Sequence, residues 1–296
     1  MPVLENNNNS LVATEWVFNN LKASNFKIVD ASQHLPTTNR VALNEYVKEH
    51  IPGAIFLNQA NLAEPNSTLP NTVPSPEHFS KIISEHGISS SDNIVLYDVD
   101  GIGAAPRAWW LFKFFGHKNV FILNGGLCKW KLEQKPIESG NHETQIKANF
   151  KISKPLVTMA SYEDIRAINI ASANKAHSAK QIVDARSAGR FSGKDLEPDK
   201  TIPSGHMPGS TNLPWTLLVN KLDGTMLPNE SIKEALSNHC IDINEPIIAS
   251  CGSGVTACVI LFALHLIGKE DISLYDGSWS EWARLNPNEI ISVNRG

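Results

Sequence analysis

The sequence predicts an α/β protein of two tandem domains, each a mainly parallel sheet flanked by helices. Three observations carry this: the chain repeats itself at a nearly constant offset, short β-branched runs alternate with helical patterns, and Gly-rich turns sit where strand gives way to helix. FKIVDAS around Asp30 recurs as KQIVDAR around Asp184 (184 − 30 = 154), and His50 of HIPGA recurs as His206 of HMPGS (206 − 50 = 156). NIVLYD ending at Asp98 recurs as PIIASC ending at Cys251 (251 − 98 = 153), and Asn124 of NGGLCKW recurs as Asp276 of DGSWSEW (276 − 124 = 152). Anchors that keep one order and drift by so little mean a duplicated domain of about 150 residues, large enough to bury its own core.

The domains span 9–140 and 159–294, joined by a linker at 141–158 that takes in most of the polar, aperiodic run GNHETQIKANFKISKP (Gly140 to Pro155); the opening run of asparagines reads as a mobile end. In the second copy SYEDIRAINI has helical apolar spacing, IVDA and STNLP read as strands, and ESIKEALSNH is again helical. Pro246 to Ser250 is a buried strand, CGSGVT a tight loop, Ala257 to Ile267 a helix apolar on most faces, and ISLYDG the last strand.

Composition narrows the function classes. With 42 % hydrophobic and 19 % charged residues and a net charge of −4, the 296-residue chain is an ordinary globular protein with no reason to bind nucleic acid or an anionic membrane. The start lacks a basic segment followed by an apolar one, and no window approaches the ~18 apolar residues of a membrane helix, so the expected compartment is the cytoplasm. Cys128, Cys240, Cys251 and Cys258 show neither a C-x-x-C pair nor zinc spacing, so no metal and no disulfide scaffold is expected.

Cys251 ends a strand at the mouth of a Gly-rich turn. In parallel α/β folds ligands collect at the carboxyl ends of strands. Such a turn aims backbone N–H groups inward, assisted by the positive end of the following helix, and a thiol held there becomes a nucleophilic thiolate. Gly252 and Gly254 suit backbone that crowds an anionic sulfur. Asp98 holds the matching position in the first copy, and a carboxylate cannot carry sulfur. The C-terminal domain is therefore the expected catalytic one, the N-terminal domain structural, and the cleft is expected between them.

These residues resemble the rhodanese family of sulfurtransferases, in its tandem-domain, 3-mercaptopyruvate-using branch. The resemblance rests on CGSGVTA at Cys251 to Ala257, DARSAGRF at Asp184 to Phe191, GHMPG at Gly205 to Gly209, YDGSWSEW at Tyr275 to Trp282, and APRAWWLFKFFGH in the first copy. It implies two rhodanese-like domains and a cycle in which Cys251 takes sulfur from 3-mercaptopyruvate as a persulfide, releases pyruvate, and passes the sulfur to a thiol, a thioredoxin-like protein or cyanide. It implies no cofactor and a monomer. Arg190 matches the arginine that binds the substrate carboxylate. Ser253 matches a serine that assists proton movement, and its hydroxyl either donates to the ketone oxygen or the sulfur, or is merely small and polar in a tight loop. Gly252, Gly254, Val255 and Thr256 supply the rest of the substrate cradle, with Thr256 opening the helix. Thiosulfate should be a poorer donor, because Gly252 and Ser253 bring no positive charge.

The chain departs from the family pattern at several places. Asn71 stands where the family has a histidine, Asn58 and Ala60 where acids are expected, and Asp199 where a second arginine is expected, with Lys194 and Lys200 nearby as substitutes. Two further readings compete. A thiosulfate:cyanide sulfurtransferase or a sulfur-relay module acting on a protein partner would use the same cysteine. A phosphatase or arsenate reductase would need an arginine where Ala257 stands. His50 and His206, being duplicated, read as turn builders. Trp279 either packs or lines the cleft, and Cys258 either packs within its helix or serves Cys251 as a redox partner.

Overall fold

In the computed structural model, which describes residues 10–141, 147–174 and 180–293, the chain forms two compact units. The first holds β1 (Leu11–Val12), α1 (Thr14–Asn20), β2 (Phe26–Asp30), α2 (Ala42–Lys48), β3 (Ile55–Phe56), α3 (Pro76–Glu85), β4 (Asn93–Tyr97), α4 (Ala105–Phe114), β5 (Val120–Leu123) and α5 (Gly126–Leu132). The second holds β6 (Thr158–Ala160), α6 (Tyr162–Ala173), β7 (Gln181–Asp184), α7 (Ala188–Ser192), β8 (Ser210–Asn212), α8 (Asn229–Asn238), β9 (Ile247–Ser250), α9 (Ala257–Leu266), β10 (Ile272–Tyr275) and α10 (Ser278–Leu285).

Each unit is one five-stranded, all-parallel sheet, in the orders β1-β5-β4-β2-β3 and β6-β10-β9-β7-β8. The central strands read as unbroken apolar runs because helices cover both faces, and every residue of β9 is buried. α9 is buried from Ala257 through Leu264, which is why its sequence shows so little polar face. α6 opens on a reciprocal cap: Ser161 Oγ accepts the Asp164 N–H at 3.1 Å and the Asp164 carboxylate accepts the Ser161 N–H at 3.0 Å. The second unit's core joins Ile165, Ile182, Met207, Ile248, Tyr275 and Trp279.

The units do not follow the repeat boundaries throughout. Asn66–Thr72 belongs to the second unit and Val219–Met226 to the first. Of the segment read as a linker, residues 142–146 lie outside the described residues, as does the opening asparagine run. Phe150 of that segment is buried in the first unit, with its ring edge-on to Phe79 and Phe112. The duplicated histidines act alike. His50 bonds Tyr46 O at 2.7 Å and stacks on Tyr46, and His206 bonds Phe191 O at 2.9 Å and stacks on Phe191.

Candidate active site

The order of the second sheet reverses between β9 and β7, and the residues just past these two strand ends build the site. Register fixes them side by side: Asp184 pairs with Ser250, and the Ala185 N–H donates to Ser250 O at 2.8 Å. Cys251 therefore follows β9 directly and is 2 % exposed. Its backbone is pinned to the β10–α10 turn, where the Cys251 N–H donates to Ser278 Oγ at 3.2 Å and Cys251 O accepts the Trp279 N–H at 3.0 Å. Ser278 occupies a left-handed conformation (φ 50°), as does its counterpart in the first copy, Gly126 (φ 54°).

Gly254 takes a left-handed conformation (φ 78°) that closes the loop onto α9. Among the described residues, the N–H groups of Gly252, Ser253, Val255, Thr256 and Ala257 donate to no protein acceptor. Among the described residues no hydrogen bond reaches Cys251 Sγ. The first unit offers a comparison. Its strand-end Asp98 carries its terminal oxygen one atom further from the backbone than Sγ, and that Oδ2 accepts the N–H of Ala104, the residue capping α4, at 2.6 Å. The capping residue of α9 is Thr256, whose N–H is unspent. The Thr256 hydroxyl makes no cap bond, because its backbone is already helical (φ −73°, ψ −16°) rather than in the extended conformation from which a cap side chain reaches the first turn.

Arg190, from α7, faces this loop: a Cβ built on Gly252 would lie 2.6 Å from Arg190 Nη2. Glu197, 5 % exposed, holds one edge of the guanidinium, accepting from Nε at 3.2 Å and Nη2 at 2.5 Å. The edge bearing Nη1 takes no protein acceptor among the described residues. Glu197 also accepts from Arg186 Nη1 at 2.9 Å, and Arg186 binds the Asp184 carboxylate through Nε and Nη2. Trp279 lies wholly buried beneath the Arg186 guanidinium, 4.6 Å from it, with its indole N–H on Pro203 O, so it packs rather than lining a cleft. Arg186 is structural, as two buried carboxylates and a ring consume it.

Two residues missed by sequence reasoning matter here. Glu197 carried no motif signal, although its place three residues before the Lys200 substitute could have drawn attention. Arg284, on α10, binds Asp199 at 2.6 Å and Ser280 O, while Ser280 Oγ donates to Gly252 O at 2.8 Å. Thr201 and Arg284 hold the Asp199 carboxyl below its ordinary range. Lys194 and Lys200 are exposed, so the cation tied by bonds to the loop is Arg284. Ser253 Oγ accepts from Asn71 Nδ2 at 2.9 Å. Cys258 Sγ donates to Gly254 O at 3.4 Å and is packed within α9.

The first unit lacks these cations. Asp30 corresponds to Asp184, but Ser32 stands in place of Arg186, and burial without a guanidinium pushes the Asp30 carboxyl up. Asp98 is pushed up to about 6 by burial, against the pull of its Ala104 bond.

The chain belongs to the rhodanese-like domain family, whose model matches residues 13–133 and 169–285. Within it, the chain is 35 % identical over 294 residues to human 3-mercaptopyruvate sulfurtransferase, covering 97 % of this chain and 96 % of that protein. It is 36 % identical over 287 residues to mouse thiosulfate sulfurtransferase, covering 95 % and 94 %. The crystal structure of SseA from Escherichia coli, described with the 3-mercaptopyruvate sulfotransferases, matches at a TM-score of 0.81 and 33 % identity, over 92 % of this chain and 99 % of that one. Among the described residues no helix is long and apolar enough to cross a membrane.

Proposed function

We propose that the chain is a sulfurtransferase that moves sulfane sulfur from 3-mercaptopyruvate to a thiol through a persulfide on Cys251. The observation that carries this reading is the set of unspent N–H groups on the Cys251 loop beside the open edge of Arg190. A guanidinium edge binds a carboxylate bidentately, which suits a small 2-oxo acid. The Cys251 thiolate attacks the thiol sulfur of the donor, and the S–S bond forms as the sulfur–carbon bond breaks. The bonding pair leaves with C3 as the enolate of pyruvate, which then takes a proton at carbon.

Charge develops on the ketone oxygen and on the outer sulfur, and donors placed there lower the barrier. The outer sulfur lies ~2.05 Å beyond Sγ. That gives the persulfide the atom count of the Asp98 side chain, which reaches its own capping amide. The Thr256 N–H, on the residue that caps α9, is one donor for that sulfur, joined by the other unspent amides of the loop. In the second half-reaction an acceptor thiolate attacks the outer sulfur and Cys251 leaves as thiolate.

Steady-state assay with 3-mercaptopyruvate and a thiol should release pyruvate, and Cys251→Ser should abolish it; pyruvate release unchanged in that variant ends the proposal. Thiosulfate is the second donor, in keeping with the similarity to a thiosulfate sulfurtransferase. It is the weaker one, since neither Gly252 nor Ser253 brings a cation to a dianion.

A further inference from the structure

We infer that Asn71 is a positioning residue for the sulfur-transfer step, fixing the direction in which the Ser253 hydroxyl gives its proton. This rests on the function proposed above. Asn71 and Ser253 stand 182 positions apart, yet the short segment Asn66–Thr72 belongs to the second unit, and Asn71 Nδ2 reaches Ser253 Oγ at 2.9 Å. Asn71 is held in the left-handed region (φ 57°), a conformation that asparagine tolerates better than most residues because its short amide bonds locally. Residue choice at this position thus serves the backbone and the bond together.

The consequence is electrostatic. A hydroxyl has one proton and two acceptor lone pairs, whereas the nitrogen of a carboxamide only donates. With Nδ2 against it, Ser253 Oγ must accept from Asn71, and its own proton is left to point elsewhere. In a sulfur transfer that proton is useful on the ketone oxygen, where negative charge grows as the sulfur–carbon bond breaks. Asn71 does not itself touch the reacting atoms. It removes the alternative in which the hydroxyl turns away and presents lone pairs to the developing anion. A carboxamide also takes no part in proton exchange, so the hydroxyl keeps this polarity at every pH at which the enzyme is folded.

The test is a double-mutant cycle, read as pyruvate release from 3-mercaptopyruvate with dithiothreitol as acceptor. Asn71→Gly keeps the left-handed backbone and removes the amide. Asn71→Asp keeps size and backbone tolerance but accepts where asparagine donates. Both should lower kcat by about threefold to tenfold, the scale of one hydrogen bond, with KM little changed. In a Ser253→Ala background Asn71→Gly should cost nothing more. Full kcat in Asn71→Asp would show that the position serves the backbone alone and would overturn the inference. So would penalties that multiply across the cycle. Wild-type protein is measured first, by mass, for one sulfur added at Cys251 after exposure to donor. Failure there overturns the proposed function and this inference together, whereas a loaded wild type with a multiplicative cycle overturns this inference alone.

Discussion

Asp98→Asn isolates what the first unit does with a carboxylate at a nucleophile's position. Burial raises the Asp98 carboxyl from 3.8 to about 6. The folded state therefore holds the proton more tightly than the unfolded chain. Stability from this group is fully present below pH 3.8 and is lost as the pH rises through about 6. The step from 3.8 to about 6, at ~1.36 kcal/mol per pH unit, amounts to about 3 kcal/mol in total. Asparagine keeps an oxygen for the Ala104 N–H, now at 2.6 Å from the carboxylate, and cannot ionise. Urea unfolding of both proteins from pH 4 to pH 8 should show the variant gaining on the wild type by about 2.4 kcal/mol, the part of that total that falls within the range, whatever constant offset separates them at pH 4. Loss of the Asp98 charge also relieves Asp30, which adds in the same direction. A difference that stays flat with pH, or falls, would mean the amide prefers the anion over the burial penalty. The reasoning about Asp98 would then be wrong.

Glu197→Gln should raise KM for 3-mercaptopyruvate at least tenfold while kcat falls less, because Arg190 loses the carboxylate that orients it; KM unchanged from wild type would remove Arg190 as the carboxylate seat. The same variant leaves Asp184 as the one carboxylate on the buried Arg186 and should lose about 3–5 kcal/mol in urea unfolding. Gly252→Ala places a Cβ 2.6 Å from Arg190 Nη2, and since that group ends a flexible side chain it should swing aside. KM for 3-mercaptopyruvate should rise severalfold with stability unchanged, and an unaltered KM would mean the guanidinium does not meet substrate there.

The parts of this protein legible in its sequence are those that parallel-sheet burial forces to be apolar. IVDA, IIAS and the ACVILFAL helix declare themselves because both faces of the sheet are covered, and the repeat declares itself because copying keeps register. The Cys251 loop was legible for its glycines, though which of its amides stay unspent was not, because that depends on the dihedral angles of the turn. β6, α7 and the one-turn helix at Trp215–Leu218 are too short to carry a period. The Asn71–Ser253 bond and the Arg190–Glu197–Arg186 chain were illegible for a different reason. They join residues whose partnership is set by tertiary placement, and a polar residue in a loop looks the same with or without a partner. The exchanged segments at 66–72 and 219–226 lie in aperiodic loops, where contiguous boundaries are the natural but incomplete reading.

The missing guanidinium beside Asp30 limits what one substitution can do in the first unit. At the repeat offset of 154, Ser32 and Pro36 stand where the second copy has Arg186 and Arg190. Placing a thiol there with Asp98→Cys would add a nucleophile with no arginine beside it, so such a chain should load one sulfur per molecule and not two. A first unit able to turn over an anionic donor would need several coordinated substitutions, because a thiol without the two arginines has nothing to hold that donor beside it.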